Sequence, residues 1–124
     1  MAALTAARPT RKRAGDRFSR GVAAGAVIYQ GAIVALAASG FAVAGSTATT
    51  LVADGMALEN VDNTDGANGD LIVEVEKGVF QFGNSAAADL ITVAEIGDDA
   101  FIVDDQTVAK TNGGATRSIA GKIV

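Results

Sequence analysis

The chain of 124 residues predicts an all-β fold: a small β-barrel or β-sandwich with one short helical turn, preceded by an extended basic N-terminal arm. Three observations predict it. First, 49% of the residues are hydrophobic but only 5% aromatic, with 15 glycines, so the core must be built from Val, Ile, Leu and Ala between frequent backbone turns. Second, the apolar blocks AVIYQ, AIVAL and FAVA are four or five residues long and separated by glycines, as strands between turns are. Third, the charge is divided. Residues 1–20 carry +5 and residues 21–124 carry −9, a basic arm attached to an acidic body. At 12.4 kDa the body has room for one core, so the expected organisation is an arm over 1–20 and a single β domain over 21–124.

The uncharged run from Gly21 to Ala53 needs the most care, because it follows the basic stretch RKRAGDRFSR. A secretory signal or a membrane-spanning helix would fit its length. Gly21, Gly25, Gly31, Gly40 and Gly45 interrupt it, however, and each costs about 1 kcal/mol in a helix interior. The run therefore reads as a strand, a glycine bend at Gly31, a second strand, and a hairpin through Ala38, Ser39 and Gly40. Residues 45–50 form a polar loop, and Asp54-Gly55 signals a turn inside LVADGMALEN.

VDNTDGANGD, residues 61–70, reads as an exposed loop. Asp62, Asp65 and Asp70 invite a calcium reading. Aligning Gly66 with the glycine of an EF-hand loop puts Val61 at the first ligand and Ile72 at the bidentate position, so the pattern fails. LIVEVEKGVFQF is the strongest strand: Leu71, Val73 and Val75 alternate with Ile72, Glu74 and Glu76, Gly78 marks a bulge or bend, and Phe80 and Phe82 share a face. Glu74 and Glu76 read as solvated charges on one face of that strand. The helical turn is expected at Thr92, where Glu95 completes capping-box spacing and Gly97 supplies the stop. Ala100–Val103 and Thr107–Lys110 form a hairpin about Asp104, Asp105 and Gln106, and 111–114 a further turn. Asp98, Asp99, Asp104 and Asp105 read as turn-end charges. Ser118–Val124 starts a last strand whose apolar pattern reaches the end of the sequence, so its completion is expected from further residues or a neighbouring subunit.

The chain has neither Cys nor His. Disulfides and thiolate metal sites are excluded, and the usual general base and nucleophile pairs are missing. No GxxxxGK[ST] or GxGxxG loop is present, and basic residues do not interleave with aromatics on the body. The expectation is a non-enzymatic protein without cofactor, metal or nucleic-acid ligand.

The order of VIYQGAIVAL, LVADGMALENVDN, GDLIVEVEKGVFQFGNS, AEIGDDAFIVDDQTVAKT and TRSIAGKIV over residues 18–124 resembles the small capsid cement, or head decoration, proteins of tailed bacteriophages. Each segment is generic alone; their order carries the likeness. The resemblance implies a small β-barrel or β-sandwich that assembles as a homotrimer and binds the major capsid protein on the outer surface of the virion between capsomers, after assembly in the host cytoplasm. It implies no catalytic residues, no cofactor, no membrane and no direct contact with nucleic acid. With it, residues 1–20 are expected to be a capsid-binding arm, Leu4 and Phe18 its apolar anchors and Arg8, Arg11, Lys12, Arg13, Arg17 and Arg20 its charge partners. The alternative from another class is an exported or membrane-associated bacterial β-protein whose first ~45 residues are a targeting segment. A carboxylate enzyme is disfavoured by the scatter of the acids.

Overall fold

The computed structural model describes residues 2–11 and 15–124. The molecule is all-β. In chain order the strands are β1 (Arg17–Gly21), β2 (Val27–Ile28), β3 (Ile33–Leu36), β4 (Ala42–Ala44), β5 (Val52–Ala57), β6 (Val61–Asp62), β7 (Ile72–Glu76), β8 (Gly83–Asn84), β9 (Asp99–Ile102), β10 (Thr107–Ala109) and β11 (Ile119–Lys122). They form a five-stranded sheet in the order β1-β7-β5-β3-β4, a four-stranded sheet in the order β11-β9-β10-β8, and the small pair β2-β6.

The uncharged run is sheet. Residues Ile33 to Leu36 are continuously apolar because both faces of β3 are covered, the situation in which a strand loses its alternation of apolar and polar residues. Val34 points into a cluster with Val22, Ile28, Ala42, Ala57, Val61, Val73 and Val75. Ile33 and Ala35 point the other way, against Ile102 of β9, with Phe82, Val108 of β10 and Ala120 of β11 packed around them. The four-stranded sheet thus covers the back of β3, and two cores share one strand. Gly31 turns the chain between β2 and β3 with φ 86°, and Gly40 closes the β3–β4 hairpin with φ 85°, where the Gly40 N–H donates to the Ala37 carbonyl at 2.8 Å. Among the described residues no helix is long and apolar enough to cross a membrane.

The five-stranded sheet curls until its edges touch. Val22, just after β1, makes a single parallel bridge to Ala42 of β4, and the Ala23 N–H donates to the Ala42 carbonyl at 2.9 Å. The ladder does not continue from there, so the sheet stops short of a closed barrel.

Several elements differ from the sequence reading. The arm does not extend to residue 20: β1 begins at Arg17 and pairs with β7 in the register Arg17↔Glu76, Ser19↔Glu74 and Gly21↔Ile72. Asp54-Gly55 is no turn but the middle of β5, because Asp54 is neutralised by partners distant in sequence and Gly55 lets β7 approach closely. A Cβ on Gly55 would lie 2.3 Å from the Glu76 carbonyl oxygen. The β7 strand ends at Glu76, so residues 77–82 leave the sheet; the Phe80 and Phe82 rings still meet, with centroids 6.1 Å apart. The predicted turn at Thr92 is a 3-10 turn over Val93–Glu95, with both halves of the capping box present. A second 3-10 turn, Ala87–Asp89, had no counterpart in the sequence reading.

Candidate interaction surface

The residues expected to form a capsid-binding arm divide into two groups. Leu4, Arg8 and Arg11 are exposed, as is every described residue from Ala2 to Arg11. Lys12 and Arg13 lie outside the described residues. Arg17, Phe18 and Arg20 instead belong to the body. Arg17 approaches Glu76 at 3.7 Å across the β1–β7 ladder while remaining largely solvated. Phe18 is half-buried, with the Arg20 guanidinium 4.9 Å and the Lys77 ammonium 5.6 Å from its ring centre.

Arg20 is the structural centre of this group. Its Nε donates to Asp54 Oδ2 at 2.7 Å and its Nη2 to Asp54 Oδ1 at 3.0 Å, a two-pronged contact that matches the planar guanidinium. Lys77 Nζ donates to Asp54 Oδ1 and to the Asp54 carbonyl, both at 2.9 Å. The Asp54 side chain is only 3% exposed. Burial by itself would raise its pKa, but the hydrogen bonds and charges of Arg20 and Lys77 outweigh burial and hold the carboxyl below the ordinary range. Arg20 is in turn held more firmly protonated, chiefly by its hydrogen bonds to Asp54. Its charge fastens β1 to β5.

Asp62 and Asp70, read for calcium, act as local caps, and Asp104, Glu74 and Asp99, also singled out in the sequence, are held in a turn, a hydrogen bond and an ion pair. Asp62 Oδ1 accepts from the Thr64 N–H at 3.0 Å and from the Thr64 hydroxyl, and Asp70 Oδ2 accepts from the Ala67 N–H at 2.9 Å. Asp104 Oδ1 accepts from the Gln106 N–H at 2.9 Å, and Asp99 pairs with Lys122 at 2.7 Å. Glu74 accepts from the Ser19 hydroxyl. No group of three potential metal ligands converges among the described residues.

Asn63 was treated as one polar residue of an exposed loop, yet it is 2% exposed. Its side-chain amide donates to the carbonyls of Val22, Ala23 and Ala67 at 3.2, 3.0 and 3.0 Å, tying the 61–70 loop to the segment after β1. A Cβ on Gly66 would collide with Asn63 Oδ1 at 1.9 Å, so a side chain there would displace this hub.

A partly apolar groove of about 810 Å³ was not foreseen. It is lined by Ile33, Ala53 and Val108, by the 77–82 segment with Phe80 and Phe82, and by residues 120–124 at and after the end of β11. Val79 and Val124 are 76% and 75% exposed beside it. The apolar residues of VFQF and KIV were visible in the sequence, but their distance of some forty residues hid that they line the same groove. The arm leaves the body at this groove: the Lys77 N–H donates to the Asp16 carbonyl at 2.7 Å, and Lys77 is one of the lining residues.

Comparison with models of known families, with curated proteins and with solved structures returns no match for this chain.

Proposed function

We propose that this chain is a structural decoration protein of a phage capsid, binding the outer surface of the shell between capsomers and stabilising the head against the outward pressure of packaged DNA. The observation that carries this reading is the division between an exposed basic segment and a folded acidic β body. Leu4, Arg8 and Arg11 stand free ahead of β1, and thirteen of the fourteen acids follow residue 20. The order of strand motifs that resembles head decoration proteins supports the same reading. An acidic body is repelled by DNA, while a basic segment is drawn to an acidic protein surface. The major capsid protein is the partner, and the homotrimer is the assembled form. A standard interface of about 1,600 Å² per contact suffices for stable attachment when well packed. The role is structural, with no catalysis, cofactor, nucleic acid or membrane in it.

The capsid-docking part of the arm is residues 2–15, since Arg17, Phe18 and Arg20 are committed to the sheet. Deleting residues 2–15 keeps Asp16, whose carbonyl ends the β1–β7 ladder. The truncated body is expected to fold with unchanged strand content by circular dichroism and to lose occupancy on purified heads by electron microscopy. Full occupancy by the truncated chain would remove the arm from the mechanism. Absence of the intact chain from the exterior of the heads would overturn the decoration role itself.

A further inference from the structure

We propose that the apolar groove between residues 77–82 and the end of β11 receives the Ala2–Ala7 segment of a second copy of this chain, with the second copy's Leu4 as the inserted side chain. The groove is large enough for a branched aliphatic residue and its flanking backbone, and Ile33, Val79, Phe80, Phe82, Val108 and Val124 give it an apolar stretch beside its polar lining residues. Its charged lining is already compensated: Lys77 pairs with Asp54, and Lys122 with Asp99. An uncharged occupant is favoured over a charged one. Within the described part of the arm the only large apolar side chain is Leu4, 71% exposed, and it sits in the uncharged stretch AALTAA ahead of Arg8.

The backbone points to the same occupant. No backbone hydrogen bond joins residues 78–82 to any other described residue, although β7 immediately precedes them. Such a segment offers unsatisfied N–H and C=O groups along one wall, the condition under which an extended chain adds as a strand. Two observations select a second copy. The chain's own residues 2–11 remain exposed while its own groove stays open. The arm also leaves the body at Lys77 on the groove's rim, so two copies with rims facing can exchange arms reciprocally about a two-fold axis. Eleven residues lie between Leu4 and Asp16, a reach of up to about 40 Å when extended. This use of Leu4 excludes its use on a capsid, so the two-fold arm exchange off the capsid competes with the capsid-bound homotrimer.

The test uses the full chain in the absence of capsids, so its failure leaves the decoration reading untouched. With no native cysteine, Thr5→Cys provides a single site for a nitroxide label. Labelled chains without ¹⁵N are mixed with unlabelled ¹⁵N chains, and amide broadening is read by NMR. Broadening between chains at Val79, Phe82 and Val124, with sedimentation showing association that Leu4→Asp weakens about tenfold or more, is the expected result. Val79→Asp, at a position 76% exposed, should weaken it in the same way without unfolding the chain. Broadening only when label and ¹⁵N share one chain, broadening elsewhere, or association indifferent to Leu4→Asp would each overturn the proposal.

Discussion

Asp54 ends the uncharged run that began at Gly21, and its chemistry depends on two cations it reaches only through the fold: Arg20 on β1 and Lys77 after β7. Because the carboxylate is buried and both cations are partly solvated, removing its charge costs less than breaking a wholly buried pair. Asp54→Asn is expected to lose about 1–3 kcal/mol at pH 7 in urea denaturation. The pH dependence follows from the direction of the shift. The folded carboxyl titrates below its unfolded value near 3.9, so its contribution is complete above that pH and disappears as pH falls through the lower folded value. Stability of the native chain should therefore drop below about pH 4, and Asp54→Asn should flatten that drop; an equally steep fall in the variant would remove Asp54 as its cause. Asn63 shows the same limit on reading residues singly. Its composition-level meaning was a turn, and its role as a buried donor to the Val22 and Ala23 carbonyls exists only because the segment after β1 and the 61–70 loop meet.

At the scale of elements, local signals succeeded where the neighbours in space were also neighbours in sequence. The β3–β4 hairpin at Gly40, the β9–β10 hairpin about Asp104, and the capping box of Thr92 and Glu95 are closed by contacts within a few residues. Thr92→Ala removes a hydroxyl that accepts from the Ala94 N–H and donates to Glu95, yet only a 3-10 turn depends on it. Asp54-Gly55 misled because the turn signal was overridden from outside. Gly55 is required by the proximity of Glu76 on β7, and any side chain there must push the two strands apart. Gly55→Ala is expected to cost more than about 2 kcal/mol, well above the effect of an alanine on an open strand. A thermal unfolding midpoint within experimental error of the parent would show that β5 and β7 can separate freely. The end of β7 at Glu76 was equally hidden, since VFQF carries a strand pattern but finds no strand beside it among the described residues.

Across the whole molecule, β3 belongs to both cores: Val34 to the cluster inside the curled sheet, and Ile33 and Ala35 to the cluster under the four-stranded sheet. The two layers should unfold together. Ile102→Ala, at a fully buried position on β9, is expected to cost about 2–4 kcal/mol and to lower a single transition seen equally by circular dichroism and by hydrogen exchange in β1, β7 and β9. Separate transitions would show that the sheets are independent. The all-β class, the glycine turns and the basic-then-acidic charge order were determined by the sequence alone, because residue size, backbone freedom and net charge are properties of the chain before it folds. The tertiary structure decided where the arm ends, that Arg20 serves Asp54, and that Val79 and Val124 line one groove. Those outcomes depend on which distant segments come into contact, and hydrophobic burial and ion pairing act on distance in space, which no local pattern encodes.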